Sequence, residues 1–434
     1  MVARARAATL ALLAGLALVS TWNALHYPPG LGYDAHNHID YVEELRAGDG
    51  LPNGNGEYYT PPGFYTVAAG AWELGERIGL GDPRRLVQLL NAALAVGTAL
   101  LLLALARELW PGRRLLHVAA LGFLACSALL LKAAAMFHPE TLDLFLSTLA
   151  LLLAARMIVR QHYRPFSAVL LGVALGAGQL VRAFSLWTFA VAVLALAAAA
   201  LADPGRRRAV LLAGVTVVAA TAAVAGPWYV HQARAYTNPI FDRPQVAKPL
   251  WERRPLAFYT DSGLPEVITR PYRPSFENRF WPQLYAEWWG DWFGVFAWQS
   301  AKGDPGPATR RELQAQSLVG LLPTALAVAG WLGLLAGSVR RLRVNPERLL
   351  VALLPLAGIV GMLYFTVSYP TPDGDVIKAT YMLTTLPAWA LAFGIATERA
   401  ARSRLGLLVV ALLVVAALVS LRFSVYGGPL GGLL

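Results

Sequence analysis

The chain has 434 residues, 56% of them hydrophobic and only 15% charged, with a net charge of +11. Soluble globular chains carry about 25% charged residues, so this composition, with a mean hydropathy of +0.49, excludes a water-soluble domain and points to an integral membrane protein. The positive charge is spread over short arginine clusters and forms no basic, aromatic-interleaved module, so nothing in it calls for a nucleic-acid partner.

Leu, Ala and Val runs of about 20 residues, the length that crosses a hydrocarbon core as helix, recur from end to end. In chain order they predict spans near 7–25, 86–106, 115–135, 140–158, 166–181, 184–202, 209–229, 316–338, 349–369, 380–397 and 405–424. The expected fold is an all-α polytopic bundle of about eleven transmembrane helices. It forms a single domain over 1–434, with a first external loop at 26–85 and a large external loop at 230–315. The first span starts like a signal peptide but is read as a retained anchor, because removing it would break the charge alternation of the loops. Cys126, the single cysteine, falls inside an apolar span and reads as a small packing residue.

Lys and Arg near span ends set orientation. With the N-terminus placed in the cytoplasm, every second loop is basic: Arg4 and Arg6; Arg107, Arg113 and Arg114; Arg156, Arg160 and Arg164; Arg206 to Arg208; Arg340, Arg341, Arg343 and Arg348; Arg399, Arg402 and Arg404. The connections between them carry little positive charge, Lys132, Arg182 and Lys378 excepted. The two long loops then face the extracytoplasmic side of the plasma membrane.

In the first of these loops, 34–45 reads as a short helix. A break follows at Gly48, Gly50, Pro52, Gly54 and Gly56, and a second short helical stretch opens after Tyr58 to Tyr65. Both helices are expected to lie flat on the membrane. On helix 34–45, Asp34, His38 and Tyr41 share one face, while His36, Asp40 and Glu43 share a neighbouring one. A carboxylate and an imidazole pointing into one cleft would suit acid–base work, whereas the plainer reading makes Asp34 a helix N-cap beside a solvated face. Asp34, His36, His38 and Asp40 are also competent metal ligands, but His36 and His38 diverge at i, i+2, which argues against a compact site.

Further on, His138-Pro139-Glu140 opens a span, and Pro at N1 with Glu in the first turn is also an ordinary helix start. Asp143, about one turn deeper, has no such plain explanation. Arg182 sits in a tight turn between two spans and Lys378 in Asp373-Gly374-Asp375-Val376-Ile377-Lys378. Such cations either snorkel to lipid phosphates or bind a substrate phosphate. The large loop, rich in Trp, Tyr, Pro and Arg, suits short helices at headgroup level. Glu287-Trp288-Trp289-Gly290-Asp291-Trp292 within it reads mainly as interfacial aromatic packing, with Glu287 and Asp291 as candidates on the acceptor side.

Taken together these segments resemble the GT-C superfamily of membrane glycosyltransferases, of the protein O-mannosyltransferase and lipid A aminoarabinose transferase type (glycosyltransferase family 39-like). Asp34, His38, Tyr41 and Leu45 resemble that family's first-loop segment, and Tyr59-Thr60-Pro61-Pro62-Gly63-Phe64-Tyr65 resembles its His-Pro-Pro-Leu-Tyr-Tyr stretch. Phe137-His138-Pro139-Glu140 is similar to its second acidic motif. Gly226-Pro227-Trp228-Tyr229-Val230 with Tyr236-Thr237-Asn238-Pro239 is similar to the passage that opens its large loop, and Lys378 to Leu383 to a late Tyr-Leu-Leu-Pro passage. Two departures stand out: Ala35 replaces the glutamate usually beside the first aspartate, and Thr60 replaces the histidine before the prolines.

The resemblance implies transfer of a sugar from a polyprenyl-phosphate carrier to an acceptor hydroxyl of a glycan, lipid or protein on the outer face. A phosphate leaving group needs little protonation, so one general base suffices and the anomeric centre inverts. Asp34 is the expected base. His38, Tyr41, Tyr59, His138, Glu140, Asp143, Arg182, Lys378 and Tyr381 are expected around donor or acceptor, with Arg182 first and Lys378 second on the phosphate. The resemblance fixes no cofactor, and a divalent cation is left open, with His36, His38 and Asp40 as its candidate ligands. Two alternatives stand beside this reading: a transporter or lipid-handling protein without covalent chemistry, and a cell-wall pentosyltransferase of the same superfamily.

Overall fold

The computed structural model describes residues 2–427 other than 55, 237–239, 241–245, 247, 299–303, 372–373 and 375. The expected Thr237-Asn238-Pro239 motif, Asp373 and Asp375 therefore lie outside the described residues. The described chain is helical, without strands: α1 (Val2–His26), α2 (Ala35–Ala47), α3 (Gly63–Arg77), α4 (Arg85–Leu109), α5 (Arg114–Ala125), α6 (Ala128–Ala135), α7 (Glu140–Val159), α8 (Pro165–Val181), α9 (Leu186–Ala202) and α10 (Arg207–Ala235). After three short helices, α11 (Leu256–Thr260), α12 (Glu266–Thr269) and α13 (Phe280–Trp289), the bundle closes with α14 (Pro307–Arg340), α15 (Leu349–Ser368), α16 (Leu386–Ala400) and α17 (Gly406–Phe423).

Among the described residues nine helices are long and apolar enough to cross a membrane, counting the 3-10 turns that lead into α9, α15 and α16. This is a multi-pass membrane protein. The two other expected spans take different forms: 166–181 is the shorter α8, and 115–135 is broken into α5 and α6 with a bend of 48°. The break has a local cause. Ser127 adopts extended backbone and its Oγ accepts from the Leu130 amide at 3.4 Å, so it caps α6 instead of continuing α5. Irregular backbone at this depth needs a substitute partner, and the Cys126 carbonyl finds one in the Ser420 hydroxyl of α17 at 2.7 Å.

The segment Ala379–Ala400 lies at the centre, 89% of its most apolar stretch being buried, against 17% for Gly406–Phe423 at the periphery. Between lipid-embedded helices there is little hydrophobic drive, so close approach of small residues does the packing. At the α8–α10 crossing a Cβ on Gly172 would stand 2.6 Å from both the Val217 carbonyl oxygen and the Ala220 Cβ. The last helix is also tied to the first: Asn23 Nδ2 donates to the Ser424 carbonyl at 2.7 Å and its Oδ1 accepts from the Tyr426 amide at 2.9 Å.

The arginine-bearing ends meet at one end of the bundle, where Arg160 reaches Glu108 at 2.6 Å and the Arg113 Nε reaches Glu398 at 2.6 Å. At the other end the described part of the large loop folds into short helices, as expected, but its aromatic run packs inward. Trp292 is fully buried and Trp289 nearly so. Glu287 and Asp291 are also fully buried, and Glu287 pairs with Lys132 of α6, whose ammonium lies 3.6 Å from Asp291. The Asp291 carboxylate also accepts from the amides of Val295, Phe296 and Ala297 at 3.1, 2.8 and 2.7 Å. These acids thus fasten the loop to the bundle rather than face headgroups: a lysine carried into an apolar helix has to meet carboxylates there.

Removing one partner of a buried pair costs about 3–5 kcal/mol because the other charge is left unpaired. Lys132→Met is therefore expected to lower the melting temperature of the detergent-solubilised protein sharply, and Lys132→Met with Glu287→Leu to recover part of the loss. An unchanged melting temperature in the single variant would contradict this fastening role.

Candidate active site

Asp34 precedes α2 with φ 52° and ψ 25°, the left-handed region that Asp tolerates better than most residues but that still carries strain. Its carboxylate makes no capping bond to α2. It is instead paired with the ammonium of Lys378, far along the chain. The plainer N-cap reading is thus replaced by a long-range ion pair. The left-handed turn is what aims the carboxylate away from the helix it precedes. Asp34 is 37% exposed and Lys378 12%, so the pair stands where a buried network meets the outside.

Behind it lies Arg182, 7% exposed, at the C-terminus of α8. Its Nε donates to Glu140 at 2.9 Å, and one terminal nitrogen is 3.4 Å from the Thr60 hydroxyl and 3.5 Å from Glu57. Thr60, where the resembled motif has a histidine, donates to Glu57 at 2.6 Å and so completes this cradle. Gly63, opening α3, allows the approach, since a Cβ there would lie 2.6 Å from the Leu180 carbonyl oxygen. Asp143, one turn into α7, accepts from Ser185 in the 3-10 turn that follows Arg182 and pins that turn.

Two aromatic rings separate the cations. The Tyr381 centroid is 5.7 Å from the Arg182 guanidinium and 5.7 Å from the Lys378 ammonium. The Tyr33 centroid is 5.6 Å from Lys378 and 5.5 Å from Lys132, and its hydroxyl meets Glu287. Ring faces attract cations at such distances. A line Arg182–Tyr381–Lys378–Tyr33–Lys132 results.

The remaining candidates divide. His38 is fully buried, its Nδ1 2.8 Å from the Tyr65 hydroxyl, its Nε2 without a partner, and its ring edge-on to that of His138 at 4.8 Å. His138 is itself against Glu140. Tyr41 is stacked on Tyr65 at 3.7 Å and donates to the Thr60 carbonyl at 3.2 Å, a packing position. Tyr59 is half-buried and its carbonyl accepts from Gln232 at 3.4 Å. His36 and Asp40 point outward and are exposed, apart from His38. Among the described residues no three His, Cys, Asp or Glu side chains gather to hold a metal ion. Glu287 and Asp291 stand on the Lys132 side of Tyr33. Glu57 and Tyr65 were not singled out as site residues from the sequence. The acid of Gly56-Glu57-Tyr58, isolated among turn residues, was the available signal for Glu57.

Burial alone would raise the Asp34 carboxyl, but Lys378, helped by His138 and Arg182, holds it below its ordinary value. Burial, then the neighbouring His138, Arg182 and Lys378, push His38 well below the usual imidazole range, so it is neutral. Burial raises Glu57 despite Arg182, with Asp34 adding to the rise. Burial would depress Lys378, yet Tyr381 and Asp34 carry it well above its ordinary value. The site therefore holds an ionised carboxylate against a firmly charged ammonium.

A separate apolar cavity of about 330 Å³ lies between α13, α14, α15 and α16, with Trp288, Trp331 and Trp389 among its walls. Met382, next in the chain to Tyr381, also lines it, and Trp281 and Val328 in its lining are exposed.

No protein-family model and no curated protein matches the sequence. Solved structures do. The oligosaccharyltransferase of Archaeoglobus fulgidus in complex with zinc and sulfate matches with a TM-score of 0.57 at 14% identity, over 96% of this chain and 53% of that one. The same organism's oligosaccharyltransferase AglB, in complex with an inhibitory peptide and a dolichol-phosphate, matches with a TM-score of 0.55 at 14% identity, over 97% and 56%. This chain shares the membrane-helix fold of those oligosaccharyltransferases. It spans a little over half the length of those oligosaccharyltransferase chains. ArnT from Cupriavidus metallidurans bound to undecaprenyl phosphate aligns over 90% of this chain and 60% of its own, at 17% identity and a TM-score of 0.48.

The charge pairing has a measurable sign. Asp34 is expected to stay ionised until the pH falls below the ordinary carboxylate value of about 3.9, and the pair's contribution to stability to be present above that value and lost as pH falls through the lowered one. Lys378→Gln should move protonation of Asp34 to higher pH, read by infrared difference spectra against Asp34→Asn. The same titration curve in wild type and Lys378→Gln would contradict the pairing.

Proposed function

We propose that this protein is an inverting glycosyltransferase that moves a sugar from a polyprenyl-phosphate donor to an acceptor hydroxyl, with Asp34 as general base. The observation that carries the reading is the ion pair of Asp34 with Lys378 at the opening of a buried cationic line, on a GT-C fold. The oligosaccharyltransferase of that fold that holds a dolichol-phosphate supports a lipid-linked donor. So does the aromatic-walled cavity beside Met382, which offers apolar surface to a prenyl chain. A membrane-embedded donor also accords with the apolar bundle.

In this mechanism a donor phosphate reaches Lys378, the cation nearest the opening. Arg182, already held by Glu140, Glu57 and Thr60, contributes field from behind Tyr381. This reverses the order of the two cations expected from sequence, because a guanidinium saturated by carboxylates has fewer donors left for a phosphate. The phosphate draws Lys378 away from Asp34, which frees the carboxylate and raises its basicity as the donor arrives. Asp34 then takes the acceptor hydroxyl proton. The new bond from acceptor oxygen to the anomeric carbon forms as the carbon–oxygen bond to phosphate breaks on the opposite face, and polyprenyl phosphate leaves as an anion stabilised by Lys378. His38, through Tyr65 and His138, positions the start of α2.

No divalent cation is given a role. The carboxylates near the opening are already engaged by Lys378 or Arg182, and this donor set does not fit a metal ion. The arginine-rich end is assigned to the cytoplasm of the cell and the Asp34 end to the outer face of its plasma membrane, following the positive-inside bias. The sugar, hexosyl or pentosyl, and the acceptor, whether glycan, lipid or protein, are left to assay.

Purified protein in lipid nanodiscs should consume one member of a panel of polyprenyl-phosphate sugars when an acceptor is supplied. Asp34→Asn should lower turnover by at least about 10²-fold while the protein stays monodisperse, and Lys378→Gln should chiefly raise the donor concentration required. Near-wild-type turnover by Asp34→Asn would remove Asp34 as the base, and a panel left intact by wild type would remove the transferase reading.

A further inference from the structure

At the end of the bundle opposite Asp34, some arginines find carboxylates: Arg113 and Arg402 share Glu398, and Arg156 and Arg160 share Glu108. Many others do not, and four of those stand together. The side chains of Arg340, Arg341, Arg348 and Arg399 make no hydrogen bond or ion pair with any described residue, yet they converge with Arg113 on one cavity of about 310 Å³. The cavity lies between the ends of α4, α14 and α16 and the turn before α15, floored by Trp110, Leu334 and Ile395.

Two further observations mark its interior. Ser338 lines it, is 1% exposed, and its hydroxyl has no partner. The Arg348 Nε is also buried and unpartnered. Unmade hydrogen bonds of buried polar groups are costly. Arg340, Arg341 and Arg399 are exposed at the mouth and Arg348 is half-buried, and gathering like charges around one cavity adds repulsion. A general preference for arginine at one membrane face explains the count of these residues but not their convergence around empty donors. An occupant that satisfies them has to be anionic, rich in acceptors and compact. Phosphate fits, because its oxygens take paired bonds from guanidinium forks, and basic pockets between membrane helices suit lipid headgroups of this kind.

We propose that this cavity is a binding site for a phosphate-bearing anion, held by Arg340, Arg341, Arg348 and Arg399, with the Ser338 hydroxyl donating from its floor. The source is either the headgroup of an anionic phospholipid or a soluble phosphate compound, and the two are separable. Binding to full-length protein is measured in two arms: thermal shift with inorganic phosphate and pyrophosphate in lipid-free detergent, and native mass spectrometry after reconstitution with phosphatidylglycerol or phosphatidylcholine.

Arg341→Gln with Arg399→Gln should weaken the bound species by about tenfold, or about 1.4 kcal/mol. Arg207→Gln with Arg208→Gln, at the same end but outside the cavity lining, should leave it unchanged. Ser338→Ala, which leaves the net charge intact, should also weaken it. Saturable stabilisation by phosphate or pyrophosphate assigns a soluble ligand, and selective retention of phosphatidylglycerol without such stabilisation assigns a headgroup. Equal losses in the two double variants would reduce the effect to diffuse surface charge, and no binding in either arm would equally overturn the proposal.

Discussion

Three cations, Arg182, Lys378 and Lys132, are drawn into the same end of an apolar bundle, and the arrangement of that end follows from how each is compensated. None relies on a counter-ion alone: at least one carboxylate approaches from one side and an aromatic face from another. The innermost, Lys132, serves structure by fastening the large loop. The outermost, Lys378, has a partner that is itself partly open. Burial therefore grades from a closed structural pair to a pair that an incoming anion can reach. That grading is why the proposed base is Asp34 rather than Glu287 or Asp291, although all three are acids near lysines.

The spans were legible because about 20 apolar residues in sequence have one economical outcome in a bilayer. The broken α5–α6 span was not, since the same apolar composition covers both halves and a single serine decides where the backbone turns. The acid at position 34 was legible from its place at the edge of a span. Its left-handed backbone and its partner Lys378, 344 residues away, belong to tertiary structure. Glu57 escaped notice because a glycine-rich stretch reads as a turn whatever its acids later touch. Glu287 and Asp291 looked interfacial because tryptophans usually mark the headgroup layer, and nothing local reveals that a lysine 155 residues upstream waits inside the bundle.

The departures from the sequence pattern that the chain resembles also acquire a physical setting. Where a histidine is usual, Thr60 links Glu57 to Arg182 with one hydroxyl. Where a glutamate is usual, Ala35 is buried at the start of α2. Acidic character is supplied instead by Glu57, returning from the glycine-rich break, so the charge near Arg182 is carried by a loop and not by the helix beside Asp34.

The bend between α5 and α6 has a consequence for biogenesis. The Cys126 carbonyl that the bend frees from the helix is met by a hydroxyl on the last helix, and the first helix is met by residues just beyond that helix. A ribosome delivers these partners about 300 to 400 residues after the groups that need them. The early helices must therefore wait in the bilayer with an incomplete seam until their most peripheral partner arrives, and that span acts as a latch.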